Sequence, residues 1–209
     1  MAKHTRDQLY FGGYYAWRGL RFVPSWGGSM FEALMPGLVL DERRYAPASL
    51  GRNDRMHAII QRRYALEELG YAVWGLSPSA SPTTGAYGEY GVKPLGTRGY
   101  TAGAVTPHAA ALALSAMPEA ALTNLRQLAQ RYPLYGDFGF YDSVDPINGQ
   151  VAYQYLYLGQ AMLFIAVVNH LTADAVPRLF ATDPIIQRVL PLLRVEHFFD
   201  GSSAGGSDR

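Results

Sequence analysis

The chain has 209 residues, a length that suits one domain and is sufficient for a buried core. Its formal net charge is +1 with no basic stripe, so nucleic acid is not expected as a partner. It contains no cysteine, which excludes disulfides, thiolate metal sites and a cysteine nucleophile. Its 15 tyrosines are typical of either an aromatic cleft or a thick core, and composition alone favours the core.

The first residues, MAKHTRDQ, are polar and lack the apolar stretch of a secretory signal. The late apolar run at 161–168 is far too short to cross a bilayer. These features predict a cytoplasmic protein that does not interact with membranes.

The first half of the chain predicts few regular elements. Residues 1–30 are broken by glycine pairs and predict loops with one or two short strands, and 31–40 predict a short helix that ends at Pro36-Gly37. Apolar spacing from Asn53 to Leu69 predicts an amphipathic helix, with Asn53 as its N-cap and Gly70 just after its end. Residues 71–105 are rich in glycine and tyrosine and predict a long functional loop.

The second half predicts two helix pairs joined by a further loop. Helices are expected to open at Thr106-Pro107, at Pro118-Glu119 and at Asp183-Pro184. A stretch from Tyr153 to Leu171 is apolar nearly all round, which is typical of a buried helix. The chain is therefore predicted to be all-α, with one domain over 1–200 and a disordered tail over 201–209.

Metal and phosphate chemistry find no support in the sequence. The five histidines have no second ligand at close helical spacing, and the GEYGVK segment at 88–93 lacks the spacing of a phosphate-binding loop. No metal and no cofactor are expected.

Three carboxylates lie in unusual contexts. Glu32 is in an apolar, glycine-flanked segment, Asp142 follows Phe-Tyr in a glycine-aromatic loop, and Glu89 is close to tyrosines on both sides. Each of them, judged singly, is more typical of a structural role. Together, acids among aromatic residues on long loops suit glycoside chemistry, where two carboxyls act as acid and as base or nucleophile.

Several segments identify a family resemblance. The motifs are PSWGGSMFEALMP, YAVWGLSPSASP, YGEYGVKPLG, AVTPHAAALAL, YGDFGFYDSVDP and YLYLGQAMLF, in this order. They resemble the glycoamylase-like family, which includes bacterial endo-β-1,2-glucanases and a domain of cyclic β-1,2-glucan synthases. The resemblance covers roughly residues 10–198. It implies a toroid of paired α-helices around a central cleft, of which this chain would supply the C-terminal part.

The resemblance also implies roles for individual residues. Glu32 would be the general acid, and Asp142 or Glu89 the second carboxylate. Substrate-binding positions would be Trp26, Trp74, Ser77, Ser79, Tyr87, His108, Tyr141 and Gln160.

Two departures from the family keep alternatives open. Gly159 stands where the family resemblance leads us to expect an aspartate, and a toroid of six hairpins needs about twice this length. The expected function is hydrolysis of a β-linked glucan. The alternatives are a non-catalytic saccharide-binding domain and a transglycosylase of cyclic glucan synthesis. The expected partners are a saccharide and a missing N-terminal half or second chain that completes the toroid.

Overall fold

The computed structural model describes the backbone of residues 2–5 and 8–11 and the full residues 13–198. About half of this part of the chain is helical. The α-helices of the described residues are α1 Met30–Leu34, α2 Glu42–Tyr45, α3 Leu50–Arg63, α4 Pro107–Leu112, α5 Pro118–Arg131, α6 Tyr157–Leu171, α7 Ala175–Phe180 and α8 Pro184–Arg194. The tail predicted to be disordered, 201–209, lies outside the described residues.

Short antiparallel strand pairs qualify the all-α expectation, because the loops between the helices are folded into hairpins. The pairs are β1 Ala2–Thr5 with β2 Gln8–Phe11, β3 Tyr15–Trp17 with β4 Leu20–Phe22, β5 Ser79–Ala80 with β6 Tyr87–Gly88, β7 Tyr135–Gly136 with β8 Gly139–Phe140, and β9 Ser143–Val144 with β10 Val151–Ala152. Most are only two residues long, so the helices form the core while the hairpins shape its polar edge.

Helix α4 lies at the centre of the core. All six of its residues are buried, and it packs against α1, α5 and α6. Three consecutive alanines, at 109–111, let neighbouring backbone approach closely. The side chain of Thr106 accepts a hydrogen bond from the Ala109 N–H, which confirms the predicted cap at Thr106-Pro107.

The start of α3 differs from the prediction. The helix begins at Leu50 rather than after Asn53, so Asn53 is not its N-cap. The Asn53 side chain instead accepts from the Val23 N–H at 2.8 Å and donates to the Val23 carbonyl at 3.1 Å. This long-range pairing ties α3 to β4. The predicted end is confirmed, since the helix continues as a π-helical turn over Tyr64–Glu68 and Gly70 follows with φ +66°.

A buried carboxyl pair joins α2 and α3. Glu42 and Asp54 are both buried and share a side-chain hydrogen bond. Loss of hydration raises the pKa of each, and the pKa of Asp54 rises further because of the nearby Glu42 charge. One proton held between the two oxygens relieves their mutual repulsion.

Helix α6 begins at Tyr157 rather than Tyr153, so the predicted helix is four residues too long. Its inward stripe is buried, at Gly159, Met162, Ala166 and Asn169. The opposite side is also largely apolar but remains exposed at Tyr157, Phe164 and Leu171. The prediction of a fully buried helix is therefore wrong within the described residues, because no other part of them covers that side.

Helix α8 also has two apolar faces. The predicted cap at Asp183 is confirmed by hydrogen bonds from the Ile185 and Ile186 N–H groups. Leu190 faces α2 and is buried. Ile185, Val189 and Leu192 form a second stripe at helical spacing and remain exposed. We call these three residues the α8 stripe.

Candidate functional site

The Glu32 carboxylate is held by its own loop. Ser29 and Glu32 form a capping box at the start of α1, in which each side chain bonds the other's backbone N–H at 3.2 Å. Glu32 Oε2 also accepts from Ser25 Oγ and the Gly27 N–H, both at 2.9 Å. Oε1 accepts only from the Gly27 N–H, at 3.0 Å, and shares this donor with Oε2. Glu32 is thus fixed in position, with Oε1 as its least occupied oxygen.

A second loop packs directly on this one. The Gly27 carbonyl accepts from the Tyr100 N–H, and a Cβ at Gly27 would lie 2.1 Å from the Tyr100 ring, so only glycine fits there. The Tyr100 hydroxyl donates weakly to Glu89 Oε1 at 3.4 Å. Partial burial raises the pKa of Tyr100, and the nearby charges of Glu32 and Glu89 raise it further. Glu32 and Glu89, both predicted from the sequence, therefore lie around one tyrosine.

Trp26 lies on the exposed side of this loop. Its ring is 56% exposed, and the Arg98 guanidinium lies 4.9 Å from the ring centroid. One ring face is thereby occupied by a cation, and contact of Trp26 with a saccharide stays a prediction.

Asp142 is buried, with only 2% of its surface exposed. Its Oδ2 accepts from the Ala80 N–H at 2.6 Å, which links it to strand β5. Desolvation raises the pKa of Asp142 to about 6, although the Ala80 hydrogen bond opposes this shift. A carboxyl with this pKa is half protonated at about pH 6, where an ordinary aspartate is almost fully ionised, and this suits a general acid.

A small pocket opens beside Asp142. Its walls include Tyr87, His108 and Gly159, and its volume is about 30 Å³. A Cβ at Gly159 would lie 3.1 Å from Asp142 Oδ1 and 3.2 Å from His108 Nδ1, so both polar atoms converge on the glycine. Because only one to a few water molecules fit in this volume, the pocket suits water or a sugar hydroxyl rather than a whole sugar ring.

His108 contributes to this pocket as a neutral imidazole. It is 4% exposed, and burial lowers its pKa to about 4. Its Nε2 lies 3.4 Å from Thr106 Oγ1, and Nδ1 faces Gly159. Tyr87 is largely exposed at the rim of the pocket. Burial of part of its side chain raises its pKa, and the charges of Glu89 and Asp142 raise it further. Of the predicted positions, Asp142, His108 and Tyr87 are brought together here.

Tyr141 and Gln160 lie next to this group. Gln160 Nε2 donates to the Phe140 carbonyl at 2.9 Å, which attaches the start of α6 to the loop that carries Asp142. The Tyr141 ring packs against Tyr153 and Tyr155. A positioning role for Gln160 follows from its contact, whereas saccharide binding by either residue stays a prediction.

Three predicted binding residues are buried and do not line the Asp142 pocket. Trp74 is 3% exposed and lines a groove between α3 and α5 that shares no residue with that pocket. Ser77 and Ser79 are fully buried, and their hydroxyls lack a protein partner. Saccharide contact by these three residues stays a prediction.

Sequence reasoning missed two features of the site. The Ser29-x-x-Glu32 pattern is a local indicator of a capping box and could have been recognised. The Ala80 N–H that anchors Asp142 had no such indicator, because the two residues are 62 positions apart. In the part of the chain that the structure describes, no three His, Asp or Glu side chains are placed to hold a metal. No helix of that part is both long and apolar enough to cross a membrane.

Comparison with known proteins gives a family for this arrangement. The model of the Glycoamylase family, described as "Putative glucoamylase", matches residues 13–184. The chain belongs to the glycoamylase-like family. A curated relative is the cyclic β-(1,2)-glucan synthase NdvB of Rhizobium meliloti (strain 1021). It is 33% identical over an alignment of 185 residues, and this alignment covers 81% of this chain and 6% of NdvB.

Solved structures of other proteins share this fold. A glucoamylase-type protein from Bacteroides uniformis is 25% identical, with a TM-score of 0.69, over 88% of this chain and 45% of its own. The endo-β-1,2-glucanase of Chitinophaga pinensis, in complex with sophorotriose and glucose, is 22% identical, with a TM-score of 0.70, over 88% and 46%. The chain therefore spans about half the length of these structures and a small part of the synthase.

Proposed function

We propose that this chain acts on a β-linked glucan, β-1,2-glucan being the first choice, by carboxylate-dependent cleavage of the glycosidic bond. The observation that carries the proposal is Asp142, a buried carboxyl with a pKa near 6 that faces a pocket with room for water. Family membership supports the substrate class, since relatives include a β-1,2-glucanase and a cyclic β-1,2-glucan synthase.

The geometry favours an exchange of the roles expected from the sequence. Glu32 Oε2 already accepts three hydrogen bonds within its own loop, so this oxygen is not free to donate to a leaving group. Asp142 accepts one and is better suited to carry the proton. In our proposal Asp142 protonates the glycosidic oxygen as its bond to the anomeric carbon breaks. Water adds to that carbon and gives up a proton to an anionic carboxylate, Glu32 or Glu89.

The direct test is release of new reducing ends from linear β-1,2-glucan by the purified full chain. We expect release by the wild type and by Glu119→Gln, an exposed control on α5, and none by Asp142→Asn. Wild-type rates in Asp142→Asn would refute the assignment of the proton. A folded wild type that neither binds nor cleaves the glucan would refute the function.

Saccharide binding without cleavage is the second candidate function. Gly159 favours it, because the carboxylate expected there is absent, and so does the span of only about half of the solved relatives. Calorimetry with oligosaccharides separates the two candidates, since binding without product release supports this one. Product sizes unlike those of simple hydrolysis would indicate the transglycosylase instead.

We further propose that residues 1–200 form one domain and that its helices are the C-terminal part of an α/α toroid. The coverage of 88% of this chain against 45% of the Bacteroides uniformis structure supports this arrangement, as does the exposed α8 stripe. If a second copy completes the toroid, sedimentation velocity will show a dimer that Leu192→Glu dissociates. If the wild type is monomeric, a different helical segment would have to complete the toroid.

A further inference from the structure

We propose that four aromatic rings beside Asp142 form a binding surface for an extended, uncharged glucan chain. These rings, which we call the aromatic platform, are Phe138, Tyr141, Tyr153 and Tyr155. The ligand class rests on the proposed function, but the platform itself is argued from its packing, exposure and charge.

The rings pack on one another in a connected set. Phe138, in the turn of the β7–β8 hairpin, has its ring centroid 5.8 Å from that of Tyr155. Tyr141 joins the second loop through Tyr153 at 5.0 Å and Tyr155 at 4.9 Å. Contacts of this kind hold the rings in fixed orientations before any ligand arrives.

Gly136 makes this packing possible. A Cβ at Gly136 would lie 2.6 Å from the Tyr141 hydroxyl and 2.8 Å from the Tyr155 hydroxyl. These two hydroxyls also hydrogen-bond to each other. The backbone of the hairpin thus leaves room for a pair of phenols, which fixes both rings and presents oxygen atoms that can bond sugar hydroxyls.

The platform is open to solvent to a degree that a folding role does not explain. Phe138 is 83% exposed and Tyr153 63%. Contiguous exposed aromatic surface is uncommon on soluble proteins and usually marks a site of interaction. The openness also argues against an aromatic cage for a quaternary amine, which would enclose its ligand.

The platform leads directly into the Asp142 pocket. Asp142 follows Tyr141, and its N–H donates to the Gln154 carbonyl between Tyr153 and Tyr155. The chain then continues into Leu156 and Gly159, which line the pocket. A chain molecule lying across the rings would therefore bring one of its bonds to the buried carboxyl.

The charge of this region selects a neutral ligand. Residues 132–177 contain no lysine or arginine, while Asp137 lies in the β7–β8 turn and its charge contributes to raising the pKa of Tyr141. Such a surface repels phosphate and anionic lipid, which basic residues would attract. Sugar rings suit it, because their C–H faces are apolar and their hydroxyls can bond phenol and carboxylate oxygens.

The test is calorimetric titration of the full chain with linear β-1,2-gluco-oligosaccharides of increasing length. Phe138→Ala and Tyr153→Ala remove exposed rings without opening the core, and Phe164→Ala is the matched control on the uncovered side of α6. We expect each platform variant to weaken binding of longer oligosaccharides by about tenfold, with a smaller effect on sophorose. Phe164→Ala should bind as the wild type does. Circular dichroism checks the fold of each variant.

The outcomes separate this proposal from the proposed function. Unchanged affinity in both platform variants would overturn the platform, even if Asp142→Asn abolishes cleavage. Weakened binding in those variants, in a chain that never releases reducing ends, would support the platform and contradict the catalytic proposal. Absence of oligosaccharide binding by the wild type, or competition by tetramethylammonium, would overturn the platform as a glucan surface.

Discussion

Glu32 and Asp142 are both acids in glycine- and aromatic-rich loops, yet the fold treats them oppositely. Glu32 remains partly exposed and is bonded by three donor groups from its own loop. Asp142 is buried and accepts one backbone hydrogen bond from a distant strand. An apolar sequence context therefore does not by itself predict a desolvated carboxyl, because donor groups of the local loop can take the place of water.

The largest expected effect is loss of activity in Asp142→Asn. An amide cannot donate the proton that the leaving oxygen needs, so we expect turnover of β-1,2-glucan to fall by about 10³-fold or more. The free energy of unfolding should change little, because a neutral amide carries no charge into the buried site. Reducing-end assays and urea unfolding measure the two quantities. A large loss of stability would show that Asp142 resembles Glu32 after all.

The second effect is loss of stability in Glu32→Ala. This change removes one half of the capping box and leaves the Gly27 and Ser29 N–H groups without their acceptor. We expect the free energy of unfolding to fall by about 3 kcal/mol, measured by urea denaturation. Glu119→Ala, at an exposed position on α5, should stay within about 0.5 kcal/mol of the wild type. Equal effects of the two changes would contradict the structural role of Glu32.

The third effect is a pH dependence specific to Asp142. Its pKa in the folded protein is raised from 3.8 to about 6, so the folded state binds this proton more tightly than the unfolded state. The resulting stabilisation is fully present below about pH 4 and is lost as the pH rises through about 6, which amounts to about 3 kcal/mol. Unfolding measured from pH 4 to 7 should show this loss in the wild type, in comparison with Asp142→Asn. Parallel pH curves for the two proteins would count against the raised pKa.

The smallest effect concerns Gly159. In Gly159→Ala the new Cβ lies 3.1 Å from Asp142 Oδ1 and partly closes the pocket. We expect turnover to fall by about tenfold, as access of water or a hydroxyl to the carboxyl narrows. Gly13→Ala is the control, because a Cβ there meets nothing within 4 Å. An increase in activity of Gly159→Ala would indicate that the open pocket hinders the reaction.

Local patterns predicted much of the helical framework. Thr106-Pro107 and Asp183-Pro184 were recognisable because a cap and its helix are neighbours in sequence. The start of α3 was not, since Asn53 bonds Val23 across 30 residues. The predicted start of α6 was also wrong. The Gln154 side chain donates to the Gly85 carbonyl and the Gln154 carbonyl accepts from the Asp142 N–H, and these bonds hold the segment before α6 in an extended loop.

The site followed the same rule. Asp142, His108 and Tyr87 were selected by motif and lie around one pocket. Trp74, Ser77 and Ser79 were selected in the same way but do not line this pocket. A motif identifies a segment, whereas long-range packing, such as the hydrogen bond from Ala80 to Asp142, decides which of its side chains border the pocket.

We expect the pair formed by Glu42 and Asp54 to make the folding of this protein take up a proton near neutral pH. Both carboxyls are ionised in the unfolded chain, whereas in the folded chain burial raises the pKa of both, that of Asp54 to about 9. The heat of unfolding should therefore depend on the ionisation enthalpy of the buffer. Alkaline solution should withdraw this proton and weaken the packing of α2, which contacts α8.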